Sequence, residues 1–184
     1  AEYTSLVVDN LGDRVDFWMT HNEPWVAAFL GNYYGLHAPG WRDLKATLQT
    51  AHHMLLSHGL AVPIIKAVTG KAGFAPNLVP GQPATQSTED IAAAQRHDEY
   101  TNRWFLDPLA GRGYPAGMWE YYGKAVPSIG ADDMKIIAAP IDFLGINYYN
   151  RRVAADHPTG KVPRIRSVED PARQRTLDRE IYPE

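Results

Sequence analysis

Thr20-His21-Asn22-Glu23-Pro24-Trp25, running on through Val26-Ala27-Ala28-Phe29-Leu30-Gly31-Asn32 to Tyr33-Tyr34-Gly35, decides how the rest of this chain is read. Ahead of it Val15, Phe17 and Met19 alternate with Asp16, Trp18 and Thr20, the two-residue period of a strand. Pro24 has no N–H to give to a ladder, so the strand stops there and Glu23 stands at its carboxyl end. A carboxyl beside the Asn22 amide, with Trp25, Tyr33 and Tyr34 close behind, suits sugar chemistry. The acid can protonate a leaving oxygen, the amide can hold a hydroxyl, and the rings can stack on apolar sugar faces. A strand ending in a solvated polar turn would carry the same tripeptide, so the surrounding sequence has to decide.

Outward from this stretch, helices and strands alternate as a parallel α/β fold requires. Ala1 to Asp13 reads as the tail of a helix. Asp43 is a cap for a long helix whose apolar stripe is Leu44, Leu48, Ala51, Leu55, Gly59 and Val62; Pro63 is expected to bend or end it near Gly59. A second strand spans Lys71 to Asn77, with the small residues Gly73 and Ala75 on one face. Pro80-Gly81-Gln82-Pro83 reads as a loop, and Ser87 caps a helix that runs to about Leu106 and stops at Asp107-Pro108. Gly113-Tyr114-Pro115 makes a turn before a short aromatic helix near Met118–Tyr122, and Asp132-Asp133 opens another helix ending before Pro140. The third strand, Ile141 to Tyr149, is nearly continuous in apolar character, as a strand covered on both faces should be. Residues 151–184 show little periodicity and read as one long loop.

Composition narrows the function classes. The chain has 184 residues, 45% hydrophobic and 21% charged, with a formal charge of −3, so neither nucleic acid nor an anionic membrane is expected as a partner. The basic residues after Asn150 are nearly balanced by Asp156, Glu169, Asp170, Asp178, Glu180 and Glu184, which argues against a basic tail. There is no cysteine, hence no disulfide or thiol nucleophile; this fits a reducing compartment, and a cytoplasmic location is expected. No apolar run approaches the roughly 20 residues that span a bilayer, and Glu2 and Asp9 interrupt any signal-like start. His52, His53 and His58 are spaced wrongly for a zinc helix, which needs ligands about four apart on one face. Trp104 and Phe105 read as core, and Gly111, Gly113 and Gly117 as turn glycines. No metal or cofactor is expected.

The segments that carry the strongest signal occur in a fixed order. They are Asn22-Glu23-Pro24-Trp25; Gly35-Leu36-His37-Ala38-Pro39-Gly40; Ala51-His52-His53 through Ser57-His58-Gly59; Asn102 to Pro108; Asp142-Phe143-Leu144-Gly145-Ile146-Asn147-Tyr148-Tyr149; and Glu180-Ile181-Tyr182-Pro183-Glu184. This set closely resembles glycoside hydrolase family 1, the retaining β-glucosidases and β-galactosidases. The resemblance implies an α/β fold, the central portion of a (β/α)8 barrel, about strands 4 to 6. A whole barrel of this kind takes about 250 residues, so residues 1–184 are expected to form a partial catalytic domain. It further implies that strands with a sugar-binding Gln and a His-Trp pair would precede Ala1. The nucleophile, in an I-T-E-N-G motif absent here, would follow Glu184.

Active sites of such barrels lie at the carboxyl ends of the strands, which selects Asn22, Glu23, Asn77, Asn147 and Tyr149. Asn147 and Tyr149 share a parity and leave their strand on one face, with Tyr148 pointing away; by pattern alone Tyr149 could equally be a packed core tyrosine. The resemblance assigns Glu23 as acid/base, with its pKa raised by burial and by the neighbouring nucleophile, and Asn22 as ligand of the sugar 2-hydroxyl. It also sets Asn147 near the acid/base and Tyr149 against the nucleophile. Trp25, His37 and Asn77 could line the leaving-group side, or could serve loop packing. The expected partners are a β-glucoside or β-galactoside and the remainder of the barrel. The alternative is a catalytically incomplete carbohydrate-binding or scaffold fragment. Strands cut from a barrel would carry open edges and bare apolar faces, so self-association of the isolated chain is also expected.

Overall fold

A computed structural model of the chain describes residues 1–68, 70–176 and 179–183; Asp178 and Glu184, counted above in the charge balance, lie outside these. Helix α1 (Glu2–Leu11) precedes β1 (Trp18–Asn22), and a helical turn of π type, Val26–Leu30, follows it. The long α2 (Leu44–Val68) leads to β2 (Ala72–Ala75), β3 (Asn77–Leu78) and β4 (Gly81–Pro83). Next come α3 (Thr88–Asp98), a second π turn (Glu99–Arg103), α4 (Trp104–Leu109), α5 (Ala116–Tyr122) and α6 (Asp133–Ile137). The chain continues as β5 (Phe143–Leu144), β6 (Asn147–Tyr148), β7 (Arg152–Asp156) and β8 (Ile165–Ser167).

The strands β1, β2 and β5 form a parallel sheet with β2 in the middle, and β3 pairs β6 in the same sense. The expected strand Ile141 to Tyr149 is thus two short strands, and Lys71 to Asn77 is likewise broken, at Pro76, which has no N–H to offer. The ladder bridges both breaks, because Gly145 N–H donates to Phe74 O (2.9 Å) and Asn147 N–H to Pro76 O (3.1 Å). Gly73 suits this sheet because a Cβ there would enter the Phe143 ring. Asp142 ties the next register by accepting the Ala72 N–H at 2.9 Å and pairing with Lys66 at 3.0 Å.

Helices cover one side of this sheet. Leu48, Leu55, Phe29, Phe74, Trp104, Phe105, Met118 and Ile137 pack into one core between α2, α4, α5 and α6, so Trp104 and Phe105 are core residues as read from the sequence. On the other side Phe17, Met19 and Ile146 are each more than half exposed. Both predicted caps are present: Asp43 Oδ1 accepts the Ala46 N–H at 3.0 Å and Ser87 Oγ accepts that of Asp90 at 3.2 Å.

Several expectations are corrected. Pro63 does not end α2, which continues to Val68, and Asp107-Pro108, expected to stop its helix, lies within α4, which runs to Leu109. Gly81–Pro83, read as loop, is a strand that pairs in parallel with β7, and β7 pairs antiparallel with β8, so the region after Asn150 holds two strands. Tertiary pairing outweighs weak local periodicity there. Gly111 and Gly113 do have positive φ, but Gly117 sits inside α5, where any side chain would strike the Glu99 carboxylate that accepts the Met118 N–H. No helix among the described residues is long and apolar enough to cross a membrane.

Gly59 is the tightest of these close approaches, since a Cβ there would collide with the Ile136 carbonyl at the end of α6. Gly59→Ala should therefore force α2 and α6 apart and lower stability by about 3 kcal/mol. Denaturant melts of the variant and the unsubstituted protein check this, a change under about 0.5 kcal/mol being the contrary result.

Candidate active site

The path of β1 aims Glu23. The register of β1 on β2 slips by one residue between Met19 and Asn22, a local bulge of the kind that redirects side chains. Glu23 N–H still donates to Ala75 O (2.8 Å), and Glu23 O accepts from Val26 N–H (2.9 Å), which begins the helical turn. Between these two bonds Glu23 has φ +46°, a left-handed conformation that costs a non-glycine residue energy and that clusters at functional sites.

Across the sheet, Asn77 is in register with Asn147, which brings β6 to the same end. Asn147 Nδ2 donates to Glu23 Oε1 (2.8 Å) and to Asn22 Oδ1 (2.9 Å), and Tyr149 OH donates to the same Glu23 Oε1 at 3.1 Å. The shared parity of Asn147 and Tyr149 is thus realised, and both meet the acid. The Tyr149–Glu23 bond has no counterpart in the sequence reading, which directed Tyr149 to a nucleophile outside this chain. That bond is also the main reason the Tyr149 hydroxyl titrates above its ordinary value, with the Glu23 charge adding to it.

Trp25 stacks on Phe29 (centroids 5.5 Å apart) and meets Tyr100 edge-on, and with the buried Asn77 it lines a cavity of about 350 Å³ next to this cluster. Trp25 Nε1 and Asn77 Oδ1 are both buried without a protein partner among the described residues. His37 stays outside. It is exposed on the loop after the π turn and does not line that cavity.

The sequence reading missed several other cavity residues: His97, Tyr100, Thr101, Arg152, Ile165 and Ser167. Tyr34, noticed only as an aromatic neighbour, lines the cavity too and shares a 3.0 Å hydrogen bond with Tyr100 OH. The Asn102 to Pro108 segment helps to build the wall. Asn102 takes the Val79 N–H on Oδ1 (3.0 Å) and gives Nδ2 to Val79 O (3.1 Å), and His97 Nε2 donates to the same oxygen at 3.1 Å.

Four other histidines have their own partners. His52 bonds Tyr114 OH (2.9 Å) and Asp133 (3.0 Å), and His53 accepts from Gln49 at 2.9 Å. His58 Nδ1 shares a 2.7 Å bond with Thr20 Oγ1, and His21 Nε2 one of 2.8 Å with Ser57 Oγ. Two adjacent residues of β1 are thereby tied to α2 just before Asn22.

A further clamp holds the segment around Glu180. The buried Arg151 forks onto Glu180 (3.0 and 2.7 Å), reaches Gln82 and Asp170, and lies 4.3 Å over the Tyr182 ring. Tyr148, which points away from Asn147 and Tyr149, gives its hydroxyl to Tyr182 O at 2.5 Å.

The glycosyl hydrolase family 1 model matches residues 1–180. The chain belongs to that family. It is 39% identical over 165 residues to beta-glucosidase A of Acetivibrio thermocellus, covering 88% of this chain and 37% of that protein. It is 36% identical over 187 residues to the 1,4-beta-D-glucan glucohydrolase of Thermotoga neapolitana, covering all of this chain and 44% of that protein. Among solved structures, the family 1 β-glucosidase of Thermotoga maritima superposes with a TM-score of 0.92 at 35% identity, covering 99% of this chain and 41% of that one. The Agrobacterium tumefaciens virulence factor SghA, solved with its substrate analogue salicin, superposes with a TM-score of 0.90 at 34% identity, covering 98% of this chain and 40% of that one. The fold is therefore part of a (β/α)8 barrel, and this family 1 chain spans about two-fifths of the length of these relatives.

Burial holds both His58 and His97 down at about 4, with His21 adding to it at His58 and Arg152 at His97. Unfolding restores the ordinary value near 6.5. Below that value the unfolded chain binds protons that the folded one refuses, so stability is full above pH 6.5 and falls as pH drops towards 4. The loss approaches about 3 kcal/mol for each histidine at the lower limit. Urea midpoints should fall steadily from pH 7 to pH 4.5, and His97→Gln should flatten that slope while lowering stability at pH 7. A slope unchanged by His97→Gln would show that His97 does not titrate in this way.

Proposed function

We propose that this chain is the acid/base-bearing part, about strands 4 to 6, of a retaining β-glucosidase-type hydrolase that removes terminal β-linked glucosyl or galactosyl residues. The observation that carries the reading is the one-sided hold on Glu23. Asn147 and Tyr149 both donate to Oε1, while Oε2 has no partner among the described residues. In the neutral acid the proton therefore resides on Oε2, free to pass to a glycosidic oxygen as its bond to the sugar breaks. The nucleophilic carboxylate, supplied by the remainder of the barrel about 5–5.5 Å away, forms the bond to the sugar. Glu23, now a carboxylate, then takes a proton from the water that releases it.

Asn22 supports this reading. Its Oδ1 is occupied by Asn147, so its Nδ2 is directed to a substrate hydroxyl, where a bond to the 2-hydroxyl strengthens in the transition state. Trp25 and Asn77 serve the leaving-group side through the cavity they line. The bare apolar side chains Phe17, Met19 and Ile146 are a surface for the remainder of the barrel to cover.

In the complete protein, Glu23→Gln should cut turnover of glycosides with poor leaving groups by about 10²–10⁴-fold and of activated aryl glycosides least. Added azide should restore the second step. Equal losses for all leaving groups, without azide rescue, would leave only a carbohydrate-binding or scaffold role. The 184-residue chain by itself should release no aryl group, because its sequence lacks the nucleophile motif; turnover by a sample of confirmed mass would contradict this.

A further inference from the structure

The cavity beside Trp25 has an uneven chemistry. Its walls are mainly aromatic and aliphatic, from Trp25, Tyr34, Tyr100 and Ile165 among others, with Asn77, Thr101 and Ser167 as neutral polar groups, and contain no carboxylate. About 350 Å³ is ample for a single aryl ring with a substituent, since an engineered cavity of about 150 Å³ already holds benzene. Two cationic residue types line it, and His97 is neutral at pH 7, with Nε2 committed to Val79 O. That leaves Arg152 as the charged group. Its backbone is fixed, because its N–H donates to Pro80 O (2.8 Å) and it pairs in register with Gly81. Arg152 is exposed, and its guanidinium has no ion pair or hydrogen bond among the described residues.

We infer that this cavity selects leaving groups that carry an anion on an aryl ring, an aryl carboxylate in particular, with the ring among Trp25, Tyr34 and Tyr100 and the carboxylate on Arg152. The inference rests on the glycosidase reading above, and it names the substrate class of that same site. A planar guanidinium matches a carboxylate through two parallel N–H donors.

The test uses the complete protein and two neutral-to-anionic pairs. For 4-carboxyphenyl and 4-carbamoylphenyl β-glucosides, the ratio of kcat/KM values should fall about tenfold in Arg152→Gln and recover in large part in Arg152→Lys. It should also fall as salt rises from about 0.01 to 1 M, over which screening shortens from about 30 to 3 Å. Calorimetric binding of 4-hydroxybenzoate against 4-hydroxybenzamide reads the cavity without turnover, and Arg152→Gln should weaken the acid alone. A ratio and a binding preference that ignore both Arg152 and salt would overturn the inference. Absence of turnover on either glucoside, with the Arg152-dependent binding intact, would instead count against the glycosidase reading and leave the cavity assignment standing.

Discussion

Two successive carbonyls of the central strand region hold the site together. Ala75 O receives the Glu23 N–H, and Pro76 O receives the Asn147 N–H. The acid and the amide that orients it are 124 residues apart in sequence, yet each hangs from one side of the same two peptide units. Because Pro76 donates nothing, its carbonyl is all it can offer. The small residues Ala72, Gly73 and Ala75 let the flanking strands come close on both sides. Every other feature of the site is an adjustment made on top of that spacing.

The adjustments are energetic as well as geometric. A one-residue slip in β1 and a left-handed Glu23 place a carboxylate where relaxed backbone would not. That cost is met by fixed partners: Thr20 and His21 tied to α2, and the two donors on Oε1. The stretch from β6 to Arg151 serves two places. Asn147 and Tyr149 hold the acid, while Tyr148 and Arg151 secure the segment around Glu180. An ion pair as buried as Arg151–Glu180 stabilises only when its remaining donors are satisfied, and here Gln82 and Asp170 satisfy them.

Much of this was legible in the sequence because it rests on local rules. The end of β1 ahead of Pro24, the caps Asp43 and Ser87, the core placement of Trp104 and the shared face of Asn147 and Tyr149 follow from missing N–H groups, short polar side chains and a period of two. The continuity of α2 through Pro63 was not legible, because it goes with the burial of Val62 and Ile65 on either side of the proline, which is tertiary packing. Nor were β4, β7 and β8, three short strands that pair across loops and show little pattern of their own. The cavity was hidden for the same reason: Tyr34, His97, Arg152 and Ser167 come from four separate stretches. His37 stood in a strong segment, yet it lies exposed on its loop and does not line this cavity.

The cavity beside Trp25 takes one part of its wall, Arg152, Ile165 and Ser167, from the sheet β4-β7-β8, which is separate from the one that leads into Glu23. Val79, between the two, is gripped through its backbone by Asn102 and His97 rather than through its side chain. Side chains on β7 and β8 can therefore change over evolutionary time while the acid stays where it is. On the proposed function, such a layout separates the choice of leaving group from the cleavage itself, and lets lineages diversify in the first without relearning the second.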